Sequence, residues 1–228
     1  MDKIKSFIKL DYITIKPYLS VKNLLIFGCI MVFLTAMSGN LASGLGVGMM
    51  LGTIYLGYPF ALGEKSNMDA LYTTLSVDRK TVVAGRFAFI FLFNLCSIIA
   101  ALVIAAITLF IAGKLDFNAN GVETLVAIVM IAALFAVIQL FQLPVFFRYG
   151  YTKAKLLTFM PFIALMVGYF LISGFAGQLF GDLQFILSVG NFLAANQMLI
   201  IVLIILAMLL ATFISYRISV KAYVKREF

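Results

Sequence analysis

Long apolar runs alternate with short charged ones along the chain. No residue from Asn23 to Gly63 is charged. As one helix, those roughly 40 residues would be about 60 Å long, twice the bilayer core, so the run must turn. Ser38-Gly39-Asn40 carries the turn chemistry, which predicts a first span over 21–37 and a second over 41–62. Later apolar runs predict a third span over 81–112, a fourth over 122–146 containing Pro144, a fifth over 156–177 containing Pro161, and a sixth over 198–216. The third is longer than a bilayer requires, so it should protrude or tilt. The runs are continuous rather than alternating, which argues against a transmembrane β-barrel. The expected fold class is an all-α integral membrane protein of six transmembrane helices, forming a single domain over 1–228.

The segments around the spans have their own patterns. In 1–20, Lys3, Lys5, Lys9 and Lys16 alternate with Ile4, Phe7, Ile8, Tyr12 and Ile15 at helical spacing. This predicts a basic amphipathic helix in the membrane interface, ended by Pro17. It reads either as an anchor or as a helix that moves with a transport cycle. The longest charged stretch between the termini runs from Glu64 to Arg86, and its loop occupies 63–80. There Met68, Leu71, Tyr72 and Leu75 fall at i, i+3, i+4 and i+7. Ser66 or Asn67 can cap such a helix, and Asp69 suits its positive end. The segment is either a handle for a partner outside the bilayer or a helix lying on lipid. The polar stretch 113–121 reads as a turn. Residues 178–197 hold Gly181, Asp182, Gly190 and Asn191 among apolar residues. They are too apolar for an ordinary loop, which predicts short re-entrant or interfacial helices on the outer side.

Composition agrees: 64% of residues are hydrophobic and 11% are charged. The net charge of +8 follows from topology. With six spans and both termini cytoplasmic, only Lys114 of the 17 basic residues falls outside. The expected location is the plasma membrane, multi-pass, with basic residues facing anionic lipid. Nucleic acid is not needed to explain the charge. No small-residue cleavage site follows the N-terminal helix, so a removable signal peptide is not expected.

Candidate chemistry is sparse. There is no histidine, and Cys29 and Cys96 fall inside spans, so neither a metal site nor a disulfide is expected. The G-x-x-x-x-G-K-[ST] loop is missing, so ATP is not expected to bind this chain in the P-loop manner. Gly44-Leu45-Gly46-Val47-Gly48 follows no strand and is not a dinucleotide loop. Gly44, Gly48 and Gly52 line one helix face for close packing, within one subunit or between two. No predicted span carries a charge at its centre, which argues against a proton-coupled transporter, and no paired groups suggest an intramembrane enzyme. Asn94, Gln139 and Gln142 are buried polar candidates, for interhelical hydrogen bonds or for a cargo pathway.

The layout resembles the permease subunit of an ABC type-2 exporter, in the short form common in Gram-positive bacteria. The resemblance covers the whole chain in layout. It is sharpest at Glu64-Lys65, at Leu71, at Leu75-Ser76-Val77-Asp78-Arg79 and at Val82-Val83-Ala84-Gly85-Arg86. In that family an acidic-basic pair after the second span precedes a coupling helix, and a Leu-Pro-Val-x-Arg-like motif leads into the third span; here Ser76 stands in place of the proline. The resemblance implies that Met68 to Leu75 docks on a separate ABC ATPase. The coupling set is then Glu64, Lys65, Met68, Asp69, Leu71, Tyr72, Leu75, Asp78 and Arg79. It further implies a second permease subunit, identical or homologous, with ATP and magnesium on the ATPase and no cofactor or catalysis here. Similar small permeases often export toxic or antimicrobial amphipathic peptides, including the phenol-soluble-modulin type. Two other classes fit the span pattern: a non-transporting immunity or scaffold protein, and the membrane subunit of a small-molecule importer. The latter should show a polar outer pocket, whereas the outer loops here are mostly apolar.

Overall fold

The computed structural model describes residues 2–68, 71–72, 77–114, 121–179, 192 and 195–226, with backbone alone at 2–4, 169 and 172–179. Asp69, Leu75 and most of 178–197 lie outside the described residues. The elements are α1 (Asp2–Ile15), α2 (Val21–Ser38), α3 (Leu41–Tyr55), α4 (Tyr58–Lys65), α5 (Arg79–Ile111), α6 (Gly121–Ala154), a 3-10 turn (Leu157–Phe159), α7 (Met160–Leu179) and α8 (Gln197–Val224). Five stretches among the described residues are long and apolar enough to cross a membrane, with α3 and α4 counted as one, and α7 adds a further apolar helix. The protein is an all-α integral membrane protein.

Local chemistry sets the boundaries. At the turn over 38–40, Gly39 adopts φ 65° and its amide returns to the Thr35 carbonyl, closing α2. Asn40 then opens α3, its side chain accepting from the Ala42 amide at 2.9 Å. Pro59 has no amide to offer the Tyr55 carbonyl, so the second span bends where α3 meets α4. Asp78 caps α5 by accepting from the Lys80 amide at 3.1 Å. At 33 residues α5 is about 50 Å long, well beyond the hydrocarbon core. Its charges, Arg79, Lys80 and Arg86, all lie in its first turns, so the excess length is at that end.

Two helices run further than the hydropathy pattern predicts. α6 continues past Phe146 to Ala154, and α8 continues past Tyr216 to Val224, so the stretches read as a basic loop and a basic tail are largely helical. Apolar character stops at the membrane surface, but helix formation does not, because Arg and Lys are good helix formers. α6 leaves helical geometry only at Gly150, with φ 75° and ψ 177°.

The extensions of α5, α6 and α8 meet α1 and α4 at one end of the bundle, the basic end. The larger core sits there: Ile15, Leu56, Phe60, Val83, Phe147 and Tyr223 are among its buried members. The opposite half packs through smaller contacts around Met31, Leu45, Met49 and Ala101. In that half, α3 turns its glycine face onto α5. A Cβ at Gly44 would lie 2.9 Å from the Ala105 Cβ, one at Gly48 would lie 2.6 Å from the Ala101 Cβ, and one at Gly52 would lie 2.7 Å from the Asn94 Oδ1. The stripe is therefore close packing within one subunit. At the far end Lys114 donates to the Ala36 carbonyl at 3.0 Å, near the C-terminus of α2.

Candidate functional site at the basic end of the bundle

Aromatic rings and a few charges tie five helices together at the basic end. Phe60 of α4 stacks on Phe146 at 5.0 Å and meets Phe147 edge-on at 5.0 Å, both from α6. Arg86 of α5 is buried with its guanidinium 4.2 Å over the Phe60 ring. A desolvated cation over a ring is worth about 2 kcal/mol. Phe147 in turn contacts Tyr223 of α8 edge-on at 5.4 Å. α1 closes the other side, where Phe7 sits so near Gly85 that a Cβ there would lie 2.6 Å from the Phe7 Cβ. Asp11 of α1 is also buried, and its Oδ2 has no hydrogen-bond partner among the described residues. Burial pushes the Asp11 carboxyl above its usual range, and the positive charge of Arg86 opposes that rise.

The charged ends of the 64–79 segment are the joint's main fasteners. Glu64 accepts from the Tyr151 amide at 2.6 Å and from the Thr152 amide at 3.1 Å. It thereby caps the last helical turn of α6, where the chain restarts after Gly150. The Arg226 guanidinium lies close by and interacts electrostatically with Glu64. A Cβ on Gly150 would lie 2.8 Å from Arg226 and 2.9 Å from Glu64, so bulk as well as its positive φ selects glycine. At the segment's other end, Arg79 Nη1 is shared among the carbonyls of Tyr223 at 3.0 Å, Val224 at 2.9 Å and Arg226 at 2.9 Å. It satisfies the C-terminus of α8, where a cation also suits the helix dipole.

Between those fasteners, Lys65 is exposed at the end of α4. Asn67, at φ 51°, turns the chain, and its carbonyl accepts the Leu71 amide at 3.2 Å. Met68 is half-buried and packs on the aromatic core. Tyr72 is buried, edge-on to Phe7 at 5.3 Å. The Leu71 side chain points outward and is 48% exposed. The apolar positions are thus split: Met68 and Tyr72 hold the segment to the joint, and Leu71 faces away.

The polar residues of the spans fall into two groups. Asn94 donates to Gln139, and the Gln139 amide reaches Thr53 Oγ1 at 3.2 Å and Asn94 Oδ1 at 3.2 Å, linking α3, α5 and α6. Gln142 stands apart, donating to the Thr158 carbonyl at 3.0 Å and so fixing the turn before α7. A third polar contact was not legible in the sequence. Pro144 leaves the Leu140 carbonyl without its helical partner, and Ser215 of α8 donates to that carbonyl at 2.7 Å. Other members of the joint, Asp11, Gly150, Tyr223 and Arg226, also escaped the sequence reading. Arg86 carried a faint signal, since it lies seven residues after Arg79 and hence on the same helix face.

These features define a polytopic helical membrane protein whose basic residues, Lys114 apart, gather at one end and whose Asn94, Gln139 and Thr53 bond to one another across three helices. Comparison with protein families places it further. The family described as ABC-2 family transporter protein matches residues 6–224, and the chain belongs to that family. It is a transmembrane subunit of an ABC transporter, and membership implies association with an ABC ATPase and typically with a second permease. Comparisons with curated proteins and with solved structures found no match.

Proposed function

We propose that the chain is the permease of an ATP-driven exporter of hydrophobic or amphipathic peptides, and that its ATPase docks on the segment between Glu64 and Arg79. One observation carries the reading: the two ends of that segment fasten the basic end, Glu64 to α6 and Arg79 to α8. A displacement of the segment then reaches α4, α5, α6 and α8 together. Leu71, about half exposed, is the apolar contact for the ATPase. In this reading the basic end faces the cytoplasm of a plasma-membrane protein, which the bias of Lys and Arg toward that end supports. ATP and magnesium reside on the ATPase, and a second permease, identical or homologous, completes the gap. Cargo of toxin or antimicrobial type, including phenol-soluble modulins, suits walls without charge.

Co-purification with the ATPase, followed by nucleotide hydrolysis in lipid, tests the assignment. Leu71→Asp should abolish association while the helical circular dichroism signal and the size-exclusion profile stay unchanged. An intact complex carrying that substitution would overturn the docking site. Purification of the native chain without any ATPase would favour a membrane protein that sequesters its ligand.

A further inference from the structure

We infer that the groove between α6 and α8 is a binding site for an anionic phospholipid of the leaflet at the basic end. The groove encloses about 1030 Å³. Val137, Phe141, Ile214 and Ile218 form its apolar wall, and each is about half exposed. Arg148, Lys221 and Lys225 stand at its mouth, all exposed. Among the described residues no acidic one lines it. Among the described residues no carboxylate pairs with these three cations, and their one contact of note is Arg148 over the Tyr149 ring at 5.1 Å.

Depth decides the kind of ligand. α6 and α8 both run toward the basic end, so each presents apolar residues first and cations after. From Val137 to Arg148 the helix rises about 16 Å, close to one leaflet of a hydrocarbon core of roughly 30 Å. A phospholipid has the same order of parts over the same length. A second apolar recess of about 660 Å³, reaching Met160 and Leu165 of α7, shares Val137 and Phe141 with the groove. It offers room for a second acyl chain. Ser215, bonded to the Leu140 carbonyl, holds the groove's floor together. A cationic amphipathic peptide would meet three like charges at the mouth, so charge selects an anion.

The full-length chain in detergent, titrated with phosphatidylglycerol or phosphatidylcholine and read by native mass spectrometry, tests the site. Wild type should retain phosphatidylglycerol in preference. Each neutralised cation near the headgroup is worth roughly fivefold, so Arg148→Gln/Lys221→Gln/Lys225→Gln should weaken retention by at least about tenfold after screening. Lys5→Gln/Lys9→Gln/Lys16→Gln removes the same charge from α1 and the turn after it and should leave retention unchanged. Ile218→Trp keeps the cations, fills the apolar wall and should also weaken binding. Equal loss in both triple variants would reduce the effect to diffuse attraction and overturn the site. So would a wild type without headgroup preference, displacement of the lipid by soluble glycerol phosphate, or cross-linking of Phe141 to a second copy of the chain.

Discussion

Replacing Glu64 separates a structural fastener from a contact with the ATPase. Its carboxylate accepts two backbone amides, at 2.6 and 3.1 Å. Hydrogen bonds to a charged group contribute about 1.5–3 kcal/mol each when well shielded. Glu64 is only half-buried, and water can reach the freed amides, so each bond contributes about 1 kcal/mol, below that range. Glu64→Ala should therefore cost about 2 kcal/mol, at the upper end for loss of a helix cap. Glu64→Gln keeps an oxygen that can take both amides and loses only the charge and the attraction to Arg226, so it should cost about 1 kcal/mol. Reversible unfolding in mixed dodecyl maltoside and dodecyl sulfate measures both, with ATPase retention scored in parallel. The cap predicts that stability falls in the order wild type, Gln, Ala. If Glu64→Ala left stability unchanged while ATPase retention fell, the carboxylate would serve the ATPase, and the capping argument would be refuted.

Two further outcomes follow from close contacts. Gly48→Ala should destabilise by about 1–3 kcal/mol, because the new methyl would meet the Ala101 Cβ at 2.6 Å, and Ala101→Gly should restore most of the loss. Gly46→Ala, with nothing within 4 Å, is the neutral control in the same unfolding assay. Ser215→Ala should cost about 1 kcal/mol in the wild-type background and almost nothing with Pro144→Ala, where residue 144 can again serve the Leu140 carbonyl. Equal costs in both backgrounds of this double-mutant cycle would show that the hydroxyl does not compensate for the proline.

The spans were legible because hydropathy over some twenty residues is a strong signal, and the turn at 38–40 because Gly and Asn have specific backbone roles. Helix ends beyond the membrane were not. Apolar runs say where lipid stops, whereas the C-terminus of α8 depends on Arg79, which is remote in sequence. The glycine spacing announced a close approach, but not that α5 would answer it with Ala101 and Ala105, also four apart. The periodicity of Met68, Leu71 and Tyr72 marked an apolar face without saying which part of it turns inward. Phe7 on α1 decides that, by taking Tyr72 and leaving Leu71 outside. Glu64 was marked by its charge, yet its role rests on the positive φ of Gly150, which only the folded chain displays.

The bundle's two halves are held by different forces. At the basic end, where the spans leave the hydrocarbon, burying large rings such as Phe60, Phe146 and Phe147 keeps apolar area from water, at about 25 cal/mol per Å². Within the bilayer lipid is as apolar as the side chains, so association rests on close contact and on bonds such as that between Asn94 and Gln139. Deleting a ring from the joint should thus cost several kcal/mol, whereas sliding α3 along α5 exchanges one small-residue contact for another. On the proposed coupling role, a push on the 64–79 segment would meet a stiff block first. The give would then come deeper, where glycine and alanine faces meet, and on that reading the joint transmits a displacement that the spans convert into a change of shape.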